Sequence, residues 1–398
     1  MNNPAIPSAV SRLAATDDHA FLRFPTDPYF LDSLQADEYA LYDDPFEAAS
    51  FDVAPPAMDA GHPAESDAPN DAETDPASLS AQSPFSSDAV LTALPPILRI
   101  QSLTRALDHD KIVNRAVLSH RGSTLCVDWI SQHVDTRLYR HGLARIRPAT
   151  TSRCADGATR IQRLVPVTSP TPLCNLFDTL LPGWVKDAEL VARASALWES
   201  LPRPLAHLLN AVLWDAERLH RFVTGPSSIR GHHNDLSGNF RHSIEVAERA
   251  RDLGLDCPLA NTPLLVAGGL LHDAAKAAEY RYDRRGRRFR LSDRGQLVGH
   301  RDTLIEWLAV ARHAAGVSID EATWLGLLHM LNAVRGAPGW LGLREPRSLE
   351  AELLAMADRL SGHQDLHQRC RPNAGKGGFG GYHAHLGHRT YVTQELCS

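Results

Sequence analysis

An apolar run without a single charge, Pro263 to Leu271, leads directly into His272 and Asp273. Such a run demands a buried segment, yet it is far shorter than the roughly 20 residues that span a membrane. Read as a helix, with Lys276 one turn further on, it carries an imidazole and a carboxylate out of the interior side by side. Those groups are what borderline and hard divalent cations bind, so the pair reads as part of a metal site.

With 398 residues, 43% of them hydrophobic, the chain has room for two folded domains and a tail. No apolar run reaches membrane-spanning length, and the opening MNNPAIPSAVSRLAATDD has neither the basic nor the long apolar region of a secretory signal. The six cysteines (126, 154, 174, 257, 370 and 397) show no CxxC spacing, which fits a reducing compartment. These features predict a soluble, cytoplasmic protein with no membrane partner.

Charge is unevenly spread. Between Ala15 and Val90 there are 17 acids and one base, Arg23, whereas residues 91–398 hold 39 bases against 30 acids. A basic body points to a phosphate-bearing substrate. Residues 1–92, rich in Asp, Ala, Pro and Ser, are expected to form a disordered acidic tail, because so little apolar surface cannot offset the entropy of ordering the chain. Aromatic residues alternate with acids between Phe21 and Phe51, a pattern suited to docking on a protein partner or on the chain's own basic surface.

Residues 93–170 read as a small OB-like β-barrel for nucleic acid. Five short runs, ILRIQSL, KIVNRAVLSH, STLCVDWI, GLARIRPATTSRC and GATRIQRLVPV, are separated by turn residues such as Arg121-Gly122 and Asp156-Gly157. Arg145, Arg147, Arg153, Arg160 and Arg163 lie on the last two runs as candidate backbone contacts; Trp129 reads as core rather than as a stacking surface. A proline-marked linker (Pro166, Pro170, Pro172, Pro182) follows. Residues 186–390 then form an all-α domain by their three- and four-residue apolar spacing. The expected fold is multidomain α+β, with the barrel before the helices.

The polar residues interrupting the helical pattern are His232, His233, His242, His272 with Asp273, His300, His329 and Asp358. Asp358 follows Leu349, Leu353, Leu354 and Met356, which are expected to line a buried side, and a carboxylate there demands a cation or charged partner. A divalent ion (manganese, another first-row ion or magnesium) satisfies all of these groups together.

The order His, then His-Asp, then Asp, all on helices, resembles the HD superfamily of metal-dependent phosphohydrolases. That resemblance implies His242, His272, Asp273 and Asp358 as metal ligands. Within the superfamily, PSSIRGHHNDLSGNFRHSIEVA, LLHDAAKAAEYRYD, LSDRGQLVGH and PRSLEAELLAMADRL are similar to segments of YhaM-type 3′-5′ exoribonucleases, which place an OB-fold before the HD domain. The first segment and the LLHD helix are more distantly similar to those of HD-bearing TraI-like relaxases. Where the exonucleases carry His-His-Gly, this chain has Val334-Arg335-Gly336, so the histidines expected beside His300 for a second ion are missing. His329, five residues earlier and on another helix face, is expected to be structural.

On this reading Asp273 shares the attacking water or takes its proton. Lys276 and His300 contact the scissile phosphate, and His232 or His233 protonates the leaving oxygen. The strip RYDRRGRRFR, with Arg281, Arg284, Arg285, Arg287, Arg288 and Arg290, is expected to grip a nucleic-acid backbone as a hairpin turned at Arg285-Gly286. The Gly-rich stretch NAGKGGFGGYHAHLGHRTYV has no helix after Lys376, so it is not a Walker-type phosphate loop. The sequence therefore predicts a metal-dependent hydrolase of single-stranded RNA or DNA, 3′-5′ exoribonuclease-like in the first instance. A relaxase-related DNA-processing protein of a mobile element, and a catalytically impaired nucleic-acid-binding or regulatory protein, are the alternatives.

Overall fold

A computed structural model describes residues 96–148, 158–337, 340, 342–372 and 377–393. The expected disordered tail, residues 1–92, and Arg153 lie outside the described residues. The chain begins with a long antiparallel meander, β1 (Ile97–Asp108), β2 (Lys111–His120) and β3 (Ser123–Ser131), followed by β4 (Leu143–Arg147), β5 (Thr159–Arg160) and β6 (Arg163–Pro166). Arg121 and Gly122 both adopt positive φ, the conformation a tight hairpin turn needs, between β2 and β3.

The strand order is β5-β3-β2-β1-β4-β6, forming a curled half-barrel. β5 runs parallel to β3, and two residues later β6 pairs antiparallel with β4, so the segment 159–166 touches both edges of the sheet. Inward-facing Ile100, Ala116, Leu118, Val127, Ala144 and Leu164 make its core. Trp129 belongs to that core and is 3% exposed, which removes it as a base-stacking surface.

The helical body follows a short 3₁₀ turn, Phe177–Thr179. Its helices are α1 (Ala188–Glu199), α2 (Arg203–Leu213), α3 (Ala216–Thr224), α4 (Gly238–Leu255), α5 (Thr262–Leu271) and α6 (Lys276–Glu279), then α7 (Asp293–Leu297), α8 (Gly299–Ala314), α9 (Glu321–Asn332) and α10 (Leu349–Arg369). Asp187, Asn261, Asp320 and Ser348 cap α1, α5, α9 and α10 by accepting a backbone N–H three residues on. Each such cap contributes about 1 kcal/mol. Asp215 does the same for α3 and so separates it from α2.

Leu205, Leu208, Leu209, Val212 and Leu213 of α2 join Leu264 to Leu271 of α5 in one continuous core. At about 1.5–3 kcal/mol for each fully buried aliphatic side chain, this apolar contact is the main force holding the helices together. Two antiparallel hairpins interrupt the helical pattern: β7 (Tyr280–Asp283) with β8 (Arg288–Leu291), and β9 (Gly378–His383) with β10 (His388–Val392). The first is the hairpin expected around Arg285-Gly286. The second is absent from the all-α expectation, because a Gly-rich stretch carries little periodicity.

The sheet is locked to the helical body by Arg99, which is 0% exposed. Its guanidinium donates to the Thr179 carbonyl (3.1 Å), the Thr179 hydroxyl (2.9 Å) and the His141 carbonyl (2.8 Å). Burial lowers its pKa to about 10, so it stays charged at neutral pH.

Beside it, His141 is buried and packs edge-on against Trp184. Burial first, then Arg140 and Arg99, push its pKa down from 6.5 to about 3. The unfolded chain therefore takes up a proton below about pH 6.5 that the folded chain refuses until about pH 3. Its stabilising contribution is complete above pH 6.5 and is lost as pH falls toward 3. His141→Asn keeps a residue tolerant of the positive φ at this position. Urea unfolding between pH 7 and 4 should show a smaller drop in midpoint for this variant than for the wild type. Parallel curves would refute the assignment.

Candidate metal centre

α4 and α5 pack side by side, and each delivers one imidazole to the same point. His242 lies in the first turns of α4 and is 0% exposed; His272 caps the C-terminus of α5. The chain then tightens through Asp273, Ala274 and Ala275 before α6. The His-Asp pair thus stands at a helix break rather than within a continuous helix. That turn rotates the Asp273 carboxylate back toward the imidazoles, with its Oδ2 3.5 Å from His242 Nε2 and 3.4 Å from His272 Nε2. Asp358 enters from α10, its Oδ1 3.1 Å from His242 Nε2 and 3.9 Å from His272 Nε2.

The two Nε2 atoms are only 3.3 Å apart, and their protonation is fixed from behind. His272 Nδ1 lies 2.8 Å from the Gly269 carbonyl, which can only accept, so Nδ1 carries the proton and Nε2 a lone pair. His242 Nδ1 lies 3.1 Å from Ser361 Oγ, whose own proton goes to Glu245 Oε2 at 2.8 Å. His242 must therefore also donate through Nδ1 and present a bare Nε2. Two lone pairs and two carboxylate oxygens facing one point repel one another unless a cation lies between them. Spacings of 3.1–3.9 Å are also what ligands about 2.0–2.2 Å from a common ion adopt. The residues present fit a divalent metal.

Electrostatics supports the same arrangement. Burial opposes ionisation of Asp273, but Lys276, followed by the surrounding imidazoles, holds its carboxyl well below the usual range. Asp358 is drawn down to about 2, against the effect of burial, by the neighbouring His242 and His272. The Asp358 side chain is 42% exposed, more open than the apolar pattern around it suggests. Leu353 and Leu354 are buried as expected, whereas Leu349 and Met356 face outward.

The remaining expected site residues separate into groups. His300 approaches the other oxygen of Asp273, with Nε2 3.6 Å from Oδ1, and its Nδ1 is held by Glu279. Lys276 is only 10% exposed and donates to Asp273 Oδ2 (2.6 Å) and Ser227 Oγ (3.1 Å). It is not a solvated helix face but the counter-charge of Asp273.

His232 stacks on His242 at 4.7 Å and forms a second possible ligand group with His242 and Asp358. Burial first, then His242 and Lys276, lower its pKa to about 3, so it offers a lone pair rather than a proton at neutral pH. His233 points elsewhere, to Ser361 Oγ (3.3 Å) and Glu245 (3.6 Å) behind His242. His329 accepts the Arg347 N–H at 2.9 Å, a structural contact as expected. Arg335 pairs with Glu352, away from the cluster.

Three participants carry no signal in the sequence alone. Ser361, Glu245 and Ser227 are ordinary polar residues until the fold brings them behind the histidines. Such contacts orient a ligand and tune its basicity, and losing one typically costs about 10–100-fold in metal affinity. Ser361→Ala should reduce manganese affinity by that order in calorimetric titration, with the folded content unchanged by circular dichroism. Undiminished affinity would mean that Ser361 does not hold His242.

Of the expected nucleic-acid contacts, the arginine strip forms the β7–β8 hairpin immediately after α6. Arg281 pairs with Arg290 and Tyr282 with Phe289 across the strands, so arginines and aromatics occupy opposite faces. Arg284, Arg285 and Arg287 lie in the exposed turn; Arg288 is half-buried, and Arg290 bonds Asp283 at 2.7 Å. Arg147 is exposed at the end of β4. Arg145 is half-buried on the same face as Leu143, which packs into the helical core, and it acts electrostatically on the buried Cys174.

Residues 239–362, which contain α4, the His272-Asp273 turn and Asp358, match the family model of the HD domain. This region of the chain is an HD domain. It is 28% identical over 167 residues to the 3′-5′ exoribonuclease YhaM of a Geobacillus strain, covering 40% of this chain and 48% of that one. YhaM of Bacillus licheniformis is 26% identical over 157 residues, 37% and 46% of the two chains. YhaM of Listeria welshimeri is 28% identical over 158 residues, 40% and 49%. The chain spans about half the length of the curated relatives it matches. No solved structure gives a significant match. Among the described residues, no helix is long and apolar enough to cross a membrane.

Proposed function

We propose that this HD protein is a metal-dependent phosphodiesterase that shortens single-stranded nucleic acid from its 3′ end, with RNA the preferred substrate. The observation that carries the reading is the convergence of His242, His272, Asp273 and Asp358, with both imidazoles held in the tautomer that leaves Nε2 free to ligate. His232 is a further ligand candidate. A bound divalent ion would supply Lewis acidity, lowering the pKa of water and neutralising charge on a phosphodiester oxygen.

The chain's own residues do the rest. Asp273 is kept ionised by Lys276, and its Oδ1, on the His300 side, is placed to accept a proton from the attacking water. His300, fixed by Glu279, faces that same position and orients the water or the scissile phosphate. His233 supports His242 from behind through Ser361 and takes no direct part. The exposed arginines of the β7–β8 hairpin, which begins where α6 ends, bind the backbone of the strand.

Residues 93–170 are read as an OB-like barrel, with 186–390 as the catalytic body. The support is the ring order β1-β2-β3, then the 159–166 segment, then β4, with one parallel pair. This suits the five-stranded, partly open barrel used on oligonucleotides. A nucleic-acid-binding protein without catalysis is the second reading, favoured by Val334-Arg335-Gly336, where Arg335 is engaged by Glu352.

The test is incubation of the full chain with manganese, magnesium, nickel or zinc and 5′-labelled single-stranded RNA or DNA. A ladder shortening from the 3′ end is expected. No cleavage with any ion, combined with salt-sensitive binding, contradicts the first reading and supports the second. One site-specific DNA nick would identify a relaxase-like activity instead.

A further inference from the structure

The β9–β10 hairpin takes no part in the metal site, yet it is built asymmetrically. Gly380 and Gly381 of β9 oppose Thr390 of β10, a bulge that shifts the register between Arg389 and Tyr391. The inner face is clamped to the end of α10. Thr390 is 0% exposed and donates to the Cys370 carbonyl at 3.0 Å, the Gly381 N–H reaches the same carbonyl at 2.8 Å, and a side chain on Gly380 would overlap it.

The bulge also brings Phe379 and Tyr382 to the same outer face, opposite Tyr391 and Arg389. There the three aromatic rings stand 62%, 64% and 59% exposed, in that order with Tyr391 last. Phe379 and Tyr391 meet edge-on at 5.0 Å, and the Arg389 guanidinium lies over the Phe379 ring at 5.6 Å, anchored to the Gly380 carbonyl at 2.9 Å.

Three large rings left in water on a rigid support signal a partner with flat apolar faces. From Gly377 to Thr393 the hairpin has no acid, one arginine and three histidines, so its charge complements a polyanion rather than a basic surface. Its tip adjoins the metal centre: the His385 ring packs against Gly231, the residue before His232, and Arg369 of α10 donates to the Gly231 carbonyl.

We propose that the outer face of this hairpin, through Phe379, Tyr382 and Tyr391 with Arg389, is a stacking platform for unpaired bases of the strand entering the metal centre. The inference rests on the reading of the chain as a single-stranded nucleic-acid phosphodiesterase. Stacking on aromatic rings is sequence-tolerant, because every base has a π-face, and Arg389 adds a cation beside the rings.

The test uses the full chain and its Phe379→Ala, Tyr382→Ala and Tyr391→Ala variants, with Phe379→Trp as rescue. Affinity for a fluorescent 12-nucleotide oligouridine is measured by anisotropy in a chelator, beside an abasic strand of equal length. Hydrolysis of bis(p-nitrophenyl) phosphate with manganese reports the metal centre alone. Each alanine is expected to weaken oligouridine binding about tenfold and leave abasic binding and small-diester hydrolysis unchanged. Phe379→Trp should restore affinity.

Oligouridine affinity unaltered in all three variants overturns the platform, as a hairpin that docks a protein would produce. Equal losses on the oligouridine and abasic strands overturn it too. If the wild type hydrolyses no phosphodiester, the catalytic reading fails, while the affinities still decide the platform.

Discussion

Asp273→Asn is expected to abolish tight metal binding and to lower phosphodiester cleavage by roughly three orders of magnitude or more, since a Lewis-acidic ion contributes several kcal/mol to such reactions. The substitution removes the carboxylate whose Oδ2 sits 3.4–3.5 Å from both imidazole Nε2 atoms. It also strands Lys276, 10% exposed, as a buried positive charge beside the ion's position. Breaking a buried pair from one side costs about 3–5 kcal/mol, so the variant should also unfold earlier in urea. Adding Lys276→Met removes the stranded charge. The double variant is expected to recover much of the stability and none of the metal affinity. Cleavage retained by Asp273→Asn in the presence of manganese would remove Asp273 from the site.

The second large effect lies outside the ligands. Gly269 sits where α5 crosses α4, and a Cβ there would overlap the Ala247 backbone, with the Ala247 N only 2.7 Å away. Backbone cannot swing aside as a side chain can, so Gly269→Ala must separate the helices that carry His272 and His242. Overpacking of this kind costs typically 1–3 kcal/mol. Because the two Nε2 atoms are 3.3 Å apart, manganese affinity should fall together with the unfolding midpoint. Gly268→Ala is the control: its Cβ would meet chiefly the flexible end of Met330. Equal effects of the two substitutions would contradict the account of the α4–α5 contact.

Much of this architecture was legible in the residues. The apolar run before His272 forced a buried helix, and the spacing of His242, the His-Asp pair and Asp358 placed them on separate helices. The alternating arginines and aromatics of 281–290 anticipated a hairpin. The strand runs from Ile97 onward were also clear, though β1 extends to Asp108 because its outer half is polar and paired only with β2.

What could not be read depends on tertiary approach. Nothing in the residue type of Ser361 says that it will sit between Glu245 and His242. Nothing in the residue type of Lys276 says that burial will make it a fixed counter-charge of Asp273. His232 and His233 are adjacent in sequence, yet the positive φ of His233 turns one ring to the metal position and the other behind it.

The most direct test of the central claim is calorimetric titration of manganese into the metal-stripped full chain, repeated with His242→Gln, His272→Gln and Asp358→Asn. The account predicts at least one equivalent bound by the wild type and a loss of about a hundredfold or more in affinity with each substitution. Undiminished binding in all three variants, or no binding by the wild type, would contradict it.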